Sequence, residues 1–216
     1  DEIVALRAEH QLLVMTGGGT RSRHAYAIAL DLGMPTGILA KLGASISEQN
    51  ALMLSILLAP HGGIKIGHDD IVKLPAYMAL GSIPVMHAMP PYGLWEEPAA
   101  RGRIPPHRTD SGVFLTAEGV GANRCIQVKD ERGLFTADPK KEPTADFIPE
   151  IEVNDLLALD LADLAVERAM LHALARARSV KEVFVINGRE PGNLTRALAG
   201  ENPGTRIYRN VYSTNW

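Results

Sequence analysis

Two groups of residues in this chain of 216 combine types and spacings suited to chemistry. The first is Thr109-Asp110-Ser111-Gly112, followed by the run Lys129-Asp130-Glu131-Arg132-Gly133-Leu134-Phe135-Thr136-Ala137-Asp138-Pro139. Cys125-Ile126-Gln127-Val128 reads as a short buried strand. Lys129 then stands at its carboxyl end, where open α/β sheets gather ligand contacts and an ammonium suits phosphate oxygens. Asp130 to Gly133 turn the chain back beside the sheet edge. Taken alone, a Lys-x-x-x-Gly spacing is also met in surface turns that need Gly and Asp for backbone reasons. The second group is Gly17-Gly18-Gly19 with Arg21 and Arg23. It stands between an apolar strand and a helix, and glycines beside unpaired helix N–H groups let an anion approach the backbone. The same string is equally a tight strand-to-helix turn with two solvated arginines.

The elements that must position these groups follow from periodicity and punctuation. Residues 1–10 read as the end of a helix, and residues 11–15 as a buried strand. Residues 21–32 have helical spacing and stop at Gly33-Met34-Pro35. Ser45 or Ser47 can start a helix through Leu58 that is apolar nearly all round, so its burial against the sheet or other subunits is expected. Residues 64–66 and 83–86 suggest two short strands. Residues 88–108 hold seven prolines or glycines among bulky residues such as Tyr92, Leu94 and Trp95, which predicts an ordered loop. Thr109 or Asp110 can cap a helix whose Val113, Phe114, Leu115, Ala117 and Val120 face a core. Residues 153–178 read as helix, interruption and helix, residues 181–187 as a strand, residues 193–199 as a short helix and residues 204–208 as a closing strand. Such alternation argues for a mostly parallel sheet with helices on both faces.

With 46% hydrophobic and 22% charged residues, the chain can bury one sizeable core and is expected to form a single domain over residues 1–216. A net charge of -3 gives no general attraction to nucleic acid or acidic membranes. Cys125 is the only cysteine, which excludes an intrachain disulfide framework and points to a reducing cytoplasm. No signal-peptide pattern is read at the start, and the uninterrupted apolar runs are shorter than a bilayer requires.

The string from Lys129 to Pro139, with Gly17-Gly18-Gly19, Asp110, Val185-Ile186-Asn187-Gly188 and Pro191-Gly192-Asn193-Leu194, resembles the amino-acid kinase superfamily and its uridylate-kinase-like members. More narrowly, Thr16-Gly17-Gly18-Gly19-Thr20-Arg21-Ser22-Arg23-His24, Met89-Pro90-Pro91-Tyr92 and Arg103-Ile104-Pro105-Pro106-His107-Arg108 resemble the metal-oxoanion storage branch of that superfamily. Lys129-Asp130-Glu131 and Leu94-Trp95 are similar to its β-type subunits, and His68 to a histidine of its α type. The resemblance implies a three-layer amino-acid-kinase-like α/β fold, its mostly parallel sheet flanked by helices. It further implies ATP and Mg2+ as cofactors, with ATP hydrolysis coupled to deposition of molybdate or tungstate as polynuclear metal-oxide clusters. The partner would be a homologous α-type subunit, or the chain itself, in a hexameric cage. The alternatives are a uridylate kinase-like phosphotransferase and a non-catalytic cage subunit with a vestigial ATP site. The family opens with a strand ending in a Lys-x-Gly-Gly loop that cradles ATP phosphates. Nothing before Gln11 resembles it, so that strand and loop are expected to be missing.

By the same resemblance, Asp110 and Lys129 are the candidate catalytic residues, the acid orienting catalytic lysines. Lys129 contacts phosphate, Asp130 and Gly133 shape the loop, Phe135 walls the adenine pocket, and Asp138 with Pro139 forms its far rim. Gly17, Gly18 and Gly19 face the acceptor. A polyoxomolybdate is a large anion that takes His nitrogen, backbone N–H, Lys or Arg. His68, His87 and His107, in loop or strand-end positions, are therefore candidate cluster contacts together with Glu48, and His68 is the foremost. Plainer roles stand beside these: Glu48 complements a helix dipole, and His107-Arg108 locks the Pro105-Pro106 loop.

Overall fold

The computed structural model describes residues 1–91 and 93–210, so Tyr92 lies outside the described residues. The chain forms two compact units that divide at Gly112. In the first, β1 (Val14–Thr16), β2 (Gly63–Lys65) and β3 (Ile83–His87) make a parallel sheet in the order β1-β3-β2. Its register pairs Thr16 with His87 and Lys65 with Val85, so all three strands deliver their carboxyl ends to one edge. The helices are α1 (Glu2–Leu6), α2 (Gly19–Asp31), α3 (Thr36–Leu58) and α4 (Leu74–Ala79). Ala51 and Leu58 of α3 pack on Ile83 and Val85 of β3, while Tyr26, Ala29 and Leu39 join α2 to α3.

Helix α3 departs from expectation at both its start and its burial. It begins at Thr36, behind an extended Pro35 at the N-cap, and not at Ser45 or Ser47. Ser47 is instead fully buried in mid-helix, where its hydroxyl donates to the Thr16 carbonyl while Thr16 Oγ1 donates to the Ser47 carbonyl at 2.8 Å. A serine that looked like a cap is consumed by a tertiary bond that fixes α3 to β1. The helix is also not covered all round. Leu52, Met53, Ile56 and Leu57 are 47%, 53%, 63% and 74% exposed on its outer side. By length and composition α3 with the turn that follows could cross a membrane. Its packing on β3 through Ala51 and Leu58 is the behaviour of a core helix in an α/β sheet protein.

Helix α5 (Thr109–Val120) runs across the division at Gly112. It buries Phe114 and Ala117 as expected, but Leu115 and Val120 turn outward on its opposite side. Then come β4 (Cys125–Lys129), β5 (Leu134–Phe135), β6 (Phe147–Ile148), β7 (Glu150–Glu152), α6 (Val153–Ala158), α7 (Arg168–Ala175), β8 (Glu182–Asn187), α8 (Asn193–Ala199) and β9 (Thr205–Tyr208). The second sheet has the order β4-β8-β9-β7, with β4 parallel to β8 and β7 parallel to β9. Only the β8–β9 pairing in it is antiparallel. β5 and β6 form a separate antiparallel ladder. Phe114, Leu134, Leu156, Met170, Leu171, Leu174, Val183 and Ile207 are the core, with Cys125 buried at the start of β4. The expected fold, mostly parallel sheets flanked by helices, is therefore present as one sheet in each unit.

Glu118 on α5 fastens the turn into β8. Its carboxylate accepts backbone N–H bonds from Arg178 at 2.7 Å, Ser179 at 2.9 Å and Val180 at 2.7 Å. Burial alone would raise its pKa, but the three N–H donors outweigh that and hold it below the ordinary carboxylate value. The sign follows from this depression. The stabilisation is fully present above the unfolded-state pKa near 4.5 and is lost as pH falls through the lower folded-state value. Glu118→Ala is expected to cost about 1 kcal/mol, since the exposed Arg178 and Ser179 N–H groups turn to water while the buried Val180 loses its acceptor. Denaturant unfolding at pH 7 and pH 3 checks it: the deficit should shrink at the lower pH.

Candidate functional site

At the carboxyl edge of the first sheet, β1 runs into Gly17-Gly18 and α2 starts at Gly19, whose φ of +57° lies in the left-handed region. A side chain at Gly18 would overlap Ser22, and one at Gly17 would touch Thr109 Oγ1 at 3.4 Å. Asn50 Nδ2 donates to the Gly17 carbonyl at 2.6 Å. Arg21 in turn donates to Asn50 Oδ1 at 3.0 Å and to Gln49 Oε1, so this arginine braces the glycine turn against α3. Asp110 is 6% exposed and follows the threonine that approaches Gly17. Ser22 Oγ is buried without a hydrogen-bond partner among the described residues.

The same edge gathers three of the four candidate cluster residues. His87 ends β3, and His68 meets it edge to face, with ring centroids 4.5 Å apart and planes at 86°. Glu48 on α3 acts electrostatically on both rings. Lys65, the last residue of β2, donates to Glu48 Oε1 at 2.8 Å. Burial pushes the pKa of both histidines below the ordinary value. At His87 the neighbouring His68 adds to the fall, and at His68 a hydrogen bond to the Met89 carbonyl opposes it. The Lys65 hydrogen bond holds Glu48 below the usual carboxylate range. Two neutral imidazoles thus offer nitrogen lone pairs at neutral pH, and the Nδ1 of His87 is buried without a partner among the described residues. His107 stands outside this group. Its Nδ1 lies 4.0 Å from Glu96, whose carboxyl burial pushes up. Among the described residues no three His, Cys, Asp or Glu side chains converge to chelate an ion. Imidazole and ammonium together suit an oxoanion better than a chelated cation.

In the second unit Lys129 ends β4 in register with Asn187, the last residue of β8. Asp130 lies 3.1 Å from Lys140 Nζ and 3.7 Å from Arg189, and Lys140 also reaches Glu131 at 2.8 Å. Asp138 accepts the Lys140 backbone N–H at 3.0 Å, which fixes the turn that carries Pro139. Gly133 is required for close approach: a side chain there would meet the Thr205 nitrogen at 2.9 Å and the Phe147 ring at 3.1 Å. Phe135 packs on Phe147 with centroids 5.4 Å apart, and the Arg132 guanidinium sits 4.1 Å over the Phe147 ring. Lys129, Asp130, Gly133, Phe135, Asp138 and Pro139 therefore all lie on one loop system of this unit, whereas Asp110 belongs to the first.

Lys140, Phe147 and Arg189 join these groups without having been singled out by sequence, whereas Lys65 is one of three lysines, with Lys41 and Lys73, that the sequence sets near the candidate histidines. Lys140 directly follows Pro139, and Arg189 follows a strand end, so both carried a positional signal. Phe147 reaches Phe135 only through the β5–β6 ladder, which two-residue strands do not announce.

The profile of the amino acid kinase family matches residues 1–187. The chain is 52% identical, over 96% of its length, to the molybdenum storage protein subunit beta of Azotobacter vinelandii, of which it covers 77%. It is 30% identical, over 93% of its length, to the uridylate kinase of Methanothermobacter thermautotrophicus, of which it covers 85%. Among solved structures, UMP kinase from Bacillus anthracis superimposes with a TM-score of 0.75 at 19% identity, over 97% of this chain and 84% of that one. Uridylate kinase from Archaeoglobus fulgidus gives 0.69 at 22% identity, over 95% and 88%. These two likenesses bear on the fold alone.

Proposed function

The chain belongs to the amino acid kinase family, and from that premise we propose that it is a subunit of an oligomeric cage storing molybdate or tungstate as polynuclear metal-oxide clusters, loaded with ATP. The observation that carries this reading is the likeness to a molybdenum storage subunit along nearly the whole chain. The site in the first unit supports it. Its glycine turn, ammonium and paired neutral imidazoles suit a metal oxoanion, with His68 and His87 as nitrogen contacts.

The residues of the second unit fit a nucleotide. Lys129 supplies a cation at a strand's carboxyl end, and the Phe135–Phe147 pair offers an aromatic wall for a base. Bound ATP would supply the free energy for loading. Mg2+ would arrive with the phosphates, since it commonly takes only one or two carboxylates from protein. Gly133 keeps the loop closed on Thr205, and Asp138 holds the turn at its rim. Lys129→Ala is expected to weaken ATP binding about tenfold, roughly 1.4 kcal/mol. Calorimetry with Mg-ATP decides, and an unchanged affinity removes Lys129 from the site.

The reading as a whole is tested by incubating the protein with molybdate or tungstate, with and without Mg-ATP, and counting metal after gel filtration. Many metal atoms per chain, dependent on ATP, are expected. Trace metal in every arm sinks the storage reading. The archaeal uridylate kinase relative favours a second reading, a UMP phosphotransferase. UMP-dependent ADP formation would replace the first reading with that one.

A further inference from the structure

In a site that gathers imidazole and ammonium groups, Glu48 is the anomaly. It stands among Lys65, His68 and His87, and its carboxylate would repel an oxoanion. By sequence it is either a contact to metal or a first-turn acid that complements a helix dipole, and the second role falls because α3 starts at Thr36. The geometry points elsewhere. Its carboxylate is held by Lys65 at 2.8 Å, and its side chain is 53% exposed, so it can swing to solvent without leaving a cavity. Lys65 is 33% exposed and comes from the end of β2, a strand fixed by its parallel pairing with β3. The cation is thus anchored, whereas its partner is on the solvent side of α3.

We propose that Glu48 is a built-in stand-in for the cargo: in the empty site its carboxylate occupies Lys65, and an incoming tetrahedral oxoanion displaces it. The inference rests on the storage reading above and adds the mode of entry. A half-exposed ion pair contributes only about 0–1 kcal/mol, so a dianion with twice the charge displaces it readily. The incoming oxygens then meet the Lys65 ammonium, beside the His68–His87 pair. Glu48 holds the ammonium in place while the site is empty and weakens binding of a monoanion in proportion.

The test is calorimetry of the full chain with sodium molybdate alone, comparing wild type, Glu48→Gln, Lys65→Met and the double variant, each checked for folding by thermal melt. Glu48→Gln is expected to bind molybdate more tightly, by about threefold to fivefold, the worth of the displaced pair. The gain should vanish in the Lys65→Met background, because the stand-in acts only through that ammonium. An equal gain there, or measurable binding by the double variant where Lys65→Met alone has none, would mean simple charge repulsion and overturn the proposal. Weaker binding by Glu48→Gln would make the carboxylate a metal contact and overturn it as well. Wild-type binding that Glu48→Gln leaves unchanged removes the stand-in and keeps the storage reading. No binding by wild type or Glu48→Gln at millimolar molybdate removes the stand-in, while the storage reading still stands or falls on loading with Mg-ATP.

Discussion

Leu57→Glu is expected to break the proposed cage into smaller species while leaving the chain folded. Leu57 is 74% exposed on the outer side of α3, with Ile56, Met53 and Leu52 exposed along the same helix. Contiguous apolar surface of this kind is a liability on a monomer and marks an interface. A charge placed at the centre of such an interface costs about 2–4 kcal/mol at each copy, enough to shift association by a factor of roughly 30 to 1,000. The inner side of the helix, held by Ala51 and Leu58, is untouched by the change, so the melting temperature of the dissociated chain should show little independent loss. Light scattering at micromolar concentration reads the outcome directly. A wild-type protein already monomeric there would end the cage proposal, whatever the variant does.

His68→Ala and His87→Ala are each expected to remove most of the metal retained after loading, whereas His107→Ala is expected to retain it. The contrast comes from placement. His68 and His87 face each other at 4.5 Å, while His107 is engaged with Glu96. Losing one nitrogen contact at each growing cluster weakens retention by about tenfold, roughly 1.4 kcal/mol, and the loss compounds as further metal depends on the first. Metal analysis after gel filtration, with a thermal melt to exclude unfolding, measures it. Equal retention in all three variants would take the histidine pair out of the site.

Much of this architecture was legible because punctuation and pattern agreed. The run from Cys125 to Pro139 announced a strand, a cation and a turn, and the structure places Lys129 at the end of β4. Gly192 and Gly200, both in the left-handed region, bracket α8 where the sequence put it. The misread elements share one physical cause, which is that local signals were outvoted by tertiary ones. Ser47 looked like a cap and instead bonds β1. Leu115 and Val120 are apolar yet point outward. α4 carries Pro75 as its second residue, which is allowed in a first turn but reads as a breaker, and six residues are too few to show a period. The site was legible residue by residue but not as a grouping. No spacing reveals that His68 and His87 touch while His107 goes elsewhere, or that Lys65 reaches Glu48 from another element.

Cys125 has a consequence of a different kind. It is the chain's only thiol, 2% exposed at the start of β4, where Val183 of β8 pairs with it. A thiol sealed in this way reacts with an alkylating reagent only during the moments when the β4–β8 pair parts. Its labelling rate is therefore a built-in clock for local opening of the second unit. Because that strand carries Lys129, slowing of the clock by ATP would register ligand binding as mechanical tightening, without any label attached to the site itself.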